Sequence, residues 1–173
     1  MSTTTSLALE SRLATVITLP ICIPLEEKIG LAVRRAHARI AGIVGAHLEP
    51  DGISPREYAC LCIVAGLKRR CNQRTVAELL WVHENVVINL VAKLEQQRLL
   101  RRYRDLDDRR HWCLSVTPQG SEVLRSATQH VIEAHKQLHI GLSEEAWKEA
   151  LRALWVLAGV TPEEVSQLLP KAS

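Results

Sequence analysis

Asn85 and Asn89 stand four residues apart, with Ile88 between them and Lys93 four residues further on. On a helix this spacing places both carboxamides on one face, one turn apart. A carboxamide carries a donor and an acceptor side by side, the pairing that matches the N6/N7 edge of adenine in a major groove. The Ile88 side chain suits a thymine methyl, and an ammonium at Lys93, one turn deeper, suits a phosphate. Glu84 shares the face; it would repel phosphate but can accept from a cytosine amine.

Other reactive groups are dispersed. The five cysteines, Cys22, Cys60, Cys62, Cys71 and Cys113, form no CxxC pair and no zinc-knuckle spacing. Their odd number, without a signal-peptide pattern, predicts reduced thiols in a cytoplasmic protein. Cys60 and Cys62 are two apart on one helix, so their side chains diverge and cannot bridge. His135 and His139 have an i, i+4 spacing that can chelate zinc, and His130 is close, but no second pair of ligands accompanies them. They are weak candidates, and no metal or other cofactor is expected. The chain has no G-x-S-x-G, no H-E-x-x-H and no glycine-rich phosphate loop, so catalysis is not expected either.

The elements that must position these residues follow from composition and pattern. Aromatics are 3% of the chain and Phe is absent, which leaves Leu, Val, Ile and Ala to build a helical core. Residues 56–110 hold 12 Lys/Arg against 7 Asp/Glu, whereas 118–173 hold 5 against 7. A basic middle and a mildly acidic end suit one region facing phosphates and another facing protein. The apolar run at 15–25 is broken by Pro20 and Pro24 and is too short to span a bilayer, so no membrane partner is expected.

Residues 1–24 read as a flexible arm. Leu25, Ile29, Val33, Ala36, Ile40, Ile43 and Val44 keep a helical spacing, with Arg34, Arg35 and Arg39 off the stripe. After a turn at 49–52, Ser54-Pro55-Arg56-Glu57 opens a helix as a capping box, which runs into Lys68-Arg69-Arg70. Asn72 caps a short helix over 73–80, a three-residue turn Trp81-Val82-His83 follows, and a helix over 84–97 buries Val87, Leu90, Val91 and Leu94. Strands over 99–103 and 112–116 flank a charged loop. Thr117-Pro118 starts a long helix to about residue 139, and Ser143 caps a last one to about 158.

Two short helices across a tight turn, then a hairpin with an arginine-rich tip, is the order of a winged helix-turn-helix, a mainly α (α+β) fold. The residues resemble the MarR (multiple antibiotic resistance regulator) family over about 25–158. Val86-Val87-Ile88-Asn89-Leu90-Val91-Ala92-Lys93-Leu94-Glu95 follows its "TVTRLVDRLE" pattern, and Ala77-Glu78-Leu79-Leu80 its "AERL". Leu99 to Arg102, Asp105 to Arg110 and Leu114 to Gly120 follow its wing without gaps, and Leu142-Ser143-Glu144-Glu145 its "LSPEE".

The resemblance implies a DNA-binding lobe at about 53–117 and dimerisation helices at about 25–48 and 118–158, with a tail at 159–173. It places Arg109 or Arg110 in a minor groove, with Asp108 orienting the guanidinium, and completes the DNA contacts with Asn85, Ile88, Asn89, Lys93, Arg74 and Asn72. The stripe Leu124, Val131 and Leu138, together with Leu151, Leu154, Trp155 and Leu157, would join two chains. The function implied is that of a homodimeric transcriptional repressor on a pseudo-palindromic duplex, released by a small aromatic or lipophilic ligand. Two alternatives stand beside it: a thiol-based redox sensor of the same fold using Cys22, and a helical interaction module without DNA binding. Trp81 and His83 depart from the small residue and the serine cap common at those positions, and Glu84 places a carboxylate at the groove entrance; these put any borrowed operator in doubt.

Overall fold

Helices carry the chain, in keeping with its palette of Leu, Val, Ile and Ala. A computed structural model describes residues 25–67, 71–105, 112–138, 141–161 and 163. The described residues divide into two units, up to Arg39 and from Ile40 on, and helix α1 spans Leu25–Leu48; the arm expected at 1–24 and most of the tail lie outside the described residues. Within the first unit α1 exposes Ile29 and Val33 as well as Arg34, Arg35 and Arg39.

The second unit begins where α1 buries Val44 and Leu48. A 3-10 turn, Glu49–Asp51, is closed by Gly52 at φ 68, whose N–H donates to Glu49 O at 3.1 Å. Helix α2 (Pro55–Leu67) opens with the predicted capping box: Glu57 N donates to Ser54 Oγ at 3.3 Å and Ser54 N to Glu57 Oε2 at 2.6 Å. Helix α3 (Gln73–Leu80) is capped by Asn72, whose Oδ1 accepts from Thr75 N at 2.9 Å. Helix α4 (Glu84–Gln96) follows, then strands β1 (Leu100–Arg104) and β2 (Trp112–Val116), antiparallel with Leu100 opposite Val116 and Arg104 opposite Trp112. Helix α5 (Pro118–Leu138) and helix α6 (Glu144–Leu157, capped by Ser143 Oγ) end the described order. No single helix among the described residues is long and apolar enough to cross a membrane.

The first strand starts one residue later than the sequence pattern suggests. Leu99 N donates to Leu94 O at 2.9 Å, which closes α4, and Leu99 O accepts from Thr117 N at 3.1 Å. Both backbone groups are thus engaged outside the ladder.

The core lies where α2 meets α3, α5 and β2, and where α4 meets α3 and β1. Leu61, Val64, Val76, Val87, Val91, Leu94 and Leu114 fill it. Small residues on α5, Ala127 and Ala134, let that helix approach closely. One expectation is corrected here: Val131 is buried in this chain's own core and Leu124 packs against it, so these two do not wait for a second chain. They share a helical face with Ala127 and Ala134, which α2 already covers. Helix α6 behaves differently: it buries none of its residues, and Leu154, Trp155, Val156 and Leu157 all stand exposed.

Three backbone positions are tightly constrained. At Gly120, in the first turn of α5, a Cβ would lie 2.0 Å from Leu99 O and 2.9 Å from Val116 Cγ1. Trp81 (φ 55) ends α3 and Arg98 (φ 59) follows α4, both in the left-handed region that side chains disfavour. Gly120→Ala should therefore destabilise the fold by about 1–3 kcal/mol through overpacking, measured by urea unfolding; no loss would contradict the close approach. Trp81→Gly and Arg98→Gly should each raise stability by roughly 0.5–1 kcal/mol, the relief of left-handed strain less the extra freedom of unfolded glycine. A lowered thermal midpoint in either would show that its side chain holds the turn.

Candidate nucleic-acid interface

Helix α4 owes its place to its two faces. Val87, Leu90, Val91 and Leu94 are buried, and Glu84, Asn85, Ile88, Asn89 and Lys93 are exposed, as the spacing predicts. The helix starts immediately after the turn Trp81-Val82-His83, with α3 packed across it. Asn85, Ile88 and Asn89 therefore form one convex, polar-and-methyl stripe over the first two turns of α4. Its shape and chemistry suit the floor of a major groove.

The start of α4 is held by an unexpected cap. His83 has extended backbone, and its Nδ1 accepts from Asn85 N at 3.2 Å, the task a serine hydroxyl would otherwise perform. Beside it lies an open groove of about 640 Å³, with Arg74, Glu78, Trp81, His83 and Glu84 in its lining. Trp81 is 89% exposed at its rim. Arg74 Nε pairs with Glu78 Oε1 at 3.0 Å on the exposed face of α3. Asn72, also expected among the DNA contacts, commits its carbonyl oxygen to the α3 cap, where it accepts from both Thr75 N and Thr75 Oγ1.

Lys93 is not a free cation. Its Nζ lies 2.7 Å from Glu57 Oε1; the lysine side chain is 56% exposed and the glutamate 1%. Glu57 is the buried charged residue among those described. Burial by itself pushes its carboxyl up. Against this act the hydrogen bond from Lys93, the Ser54 N–H and hydroxyl, and the charge of Lys93, and together they bring it below the usual carboxylate range. Sequence reasoning identified Glu57 only as half of a capping box. Its second oxygen finds a partner 36 positions along the chain, and no local pattern signals such a pair.

The hairpin is anchored to the same helix. Arg102 Nε pairs with Glu95 Oε2 at 3.0 Å, Arg101 Nε donates to Ser115 Oγ at 3.0 Å, and the Arg104 guanidinium lies 4.0 Å over the Trp112 ring. The loop that follows, with Asp108, Arg109 and Arg110, lies outside the described residues, as do Cys22, Lys68, Arg69, Arg70 and His139.

Cys60, Cys62 and Cys71 are poorly suited to sensing oxidants. Burial, then the neighbouring Cys71 thiol and Glu57, pushes Cys60 up to about 12. Burial and Cys113 push Cys71 up to about 11, and burial also raises Cys62 despite a hydrogen bond with Tyr58. A protonated thiol is a weak nucleophile. His135 is exposed, and among the described residues no three His, Cys, Asp or Glu side chains gather as a metal site.

No family model matches the chain. A curated protein of Thauera aromatica, assigned as a transcriptional regulatory protein for the hcr operon, is 26% identical over 124 residues, covering 62% of this chain and 74% of that protein. A transcriptional regulator of the MarR family from Rhodococcus sp. RHA1 superposes with a TM-score of 0.71 at 25% identity, covering 80% of this chain and 99% of the other. CouR from Rhodococcus jostii RHA1, solved with p-coumaroyl-CoA, gives 0.69 at 27%, covering 80% and 96%. CouR, a transcriptional repressor, has also been solved on a 23-mer DNA duplex; that structure gives 0.70 at 25%, covering 78% and 94%.

The Glu57 carboxyl sets an acid limit on the lobe. Because its folded pKa is below the unfolded value, its contribution is present above about pH 4.3 and is lost as pH falls through the folded pKa. Urea unfolding between pH 7 and pH 3 should show a steeper acid loss for the natural chain than for Glu57→Gln; superimposable acid limbs would rule this contribution out.

Proposed function

We propose that this chain, like the MarR-family regulators whose structures it resembles, is a winged helix-turn-helix transcriptional regulator and acts as a homodimeric repressor. It binds a pseudo-palindromic duplex and leaves it on taking up a small aromatic or lipophilic ligand. The observation that carries the reading is the split surface of α4: an apolar face fixed in the core and an exposed Asn85, Ile88, Asn89 stripe with no structural duty. In this reading Asn85 and Asn89 read adenine edges and Ile88 a thymine methyl. Arg74 supplies attraction to the backbone, and Arg109 or Arg110, by sequence position, enters the minor groove beside each half-site.

Two copies are needed to place two such helices one helical turn of DNA apart, about 34–36 Å. The apolar side chains that α6 leaves exposed support a second copy, since Leu154, Trp155, Val156 and Leu157 form more exposed apolar surface than one chain has use for. The ligand rests on likeness: CouR is known with p-coumaroyl-CoA and on DNA. The raised thiols Cys60, Cys62 and Cys71 offer an oxidant little, so the redox alternative rests on Cys22, which lies outside the described residues.

Fluorescence anisotropy on a duplex that the protein itself selects from a randomised pool tests the reading. Affinity should fall steeply with salt, by a slope of about −0.9 per phosphate neutralised. Asn85→Ala and Asn89→Ala should each cost about 1–3 kcal/mol and relax preference at one base pair, and Arg110→Ala should cost a similar amount. Sedimentation should report a dimer. A monomer, or a pool from which nothing is enriched, would favour the interaction-module alternative.

A further inference from the structure

We propose that Glu57, far along the chain from the base-reading stripe, is a positioning residue for that stripe and acts through Lys93. The inference rests on the DNA-binding reading above and assigns Lys93 a different duty from the phosphate contact its spacing suggests.

Lys93 continues the stripe itself. Asn85, Asn89 and Lys93 are successive i, i+4 positions, each displaced by about 40° around the helix axis from the last. A restraint on Lys93 therefore also restrains the rotation of the asparagines. The apolar seam under α4 sets this rotation through close packing, and a paired buried charge adds to it a penalty for turning that aliphatic contacts do not carry. The buried charge pair adds a further restraint by proximity, since Glu57 Oε1 has no well-aligned hydrogen-bond partner among the described residues and depends on the nearby ammonium. Glu57 Oε2 is held by Ser54 N at 2.6 Å, so the carboxylate cannot swing, and its Oε1 meets Lys93 Nζ at 2.7 Å. Turning α4 would leave a carboxylate that is 1% exposed without its partner, which is costly in a dry interior. A second tether reaches the same segment: Gln97 Nε2, just past the end of α4, donates to Gly52 O at 3.4 Å. Residues 52–57 thus form a polar seat for the far end of the reading helix, while its near end stays open to the groove.

The test uses the full chain and two duplexes of equal length, one selected by the natural protein from a random pool and one scrambled. Binding is measured across several salt concentrations, at a temperature where circular dichroism shows every variant folded. Glu57→Gln and Lys93→Met should each weaken binding to the selected duplex about tenfold while changing binding to the scrambled one by less than about twofold. The salt slope should stay the same, the double variant should be no worse than either single one, and Lys93→Arg, which keeps the pair, should bind like the natural chain. The double variant removes both charges and so keeps the question open to measurement should a single variant fail to fold. If Lys93→Met instead lowers the slope by about 0.9 and weakens both duplexes alike while Glu57→Gln does nothing, Lys93 is a phosphate contact and the proposal is wrong. It is equally wrong if the thermal midpoint falls but binding to the selected duplex does not. A natural chain that enriches no duplex at all would overturn the DNA-binding reading, a result distinct from either of these.

Discussion

Everything at the interface depends on α4 being half-buried. Val87, Leu90, Val91 and Leu94 pull one side of the helix into the core formed with α2, α3 and β1, and this burial is what leaves the other side outward and rigid. A helix in isolation of this length would be marginal in water. Its order comes from the seam, which also decides that Asn85, Ile88 and Asn89 face outward. The hairpin draws on it too, because Arg102 grips Glu95 on the last turn of α4.

Polar contacts then refine what the apolar core only roughly sets. The start of α4 is capped by a histidine nitrogen, its last turn is paired with a carboxylate from α2, and Gln97 just past its end is tethered to Gly52. The cap comes from the residue just before α4, and the other two contacts come from residues 52–57, far from it in the chain. The strained backbone lies at the junctions: Trp81 between α3 and α4, and Arg98 between α4 and β1. Left-handed residues there allow short, abrupt connections, which is how two helices and a hairpin converge on one surface.

Surface left uncovered in one chain is as informative as surface covered. On α5 the face that was expected to await a partner already packs inward through Ala127, Val131 and Ala134, whereas α6 keeps its Leu and Trp side chains outside. The apolar patterns of α5 and α6 look alike in sequence. They differ because α2 lies against α5, while α6 buries nothing among the described residues.

The order of elements was legible in the sequence alone, because it rests on local physics: the Ser54–Glu57 capping box, the Asn72 and Ser143 caps, the spacing of Val87, Leu90, Val91 and Leu94, and the strand pair around a charged loop. So was the outward face of α4, since a helix that buries one stripe must expose the opposite one. Gly120 could be matched to a family pattern, but its reason, a Leu99 carbonyl 2.0 Å from where a Cβ would stand, is a contact made 21 residues away. Lys93 shows the same boundary. Its charge and spacing suggested a phosphate, and only the packing of α2 on the rest of the lobe brings Glu57 within 2.7 Å of it. Short-range hydrogen bonds and periodicity are written into neighbouring residues, whereas the partner of a buried charge is chosen by which distant surfaces the core presses together.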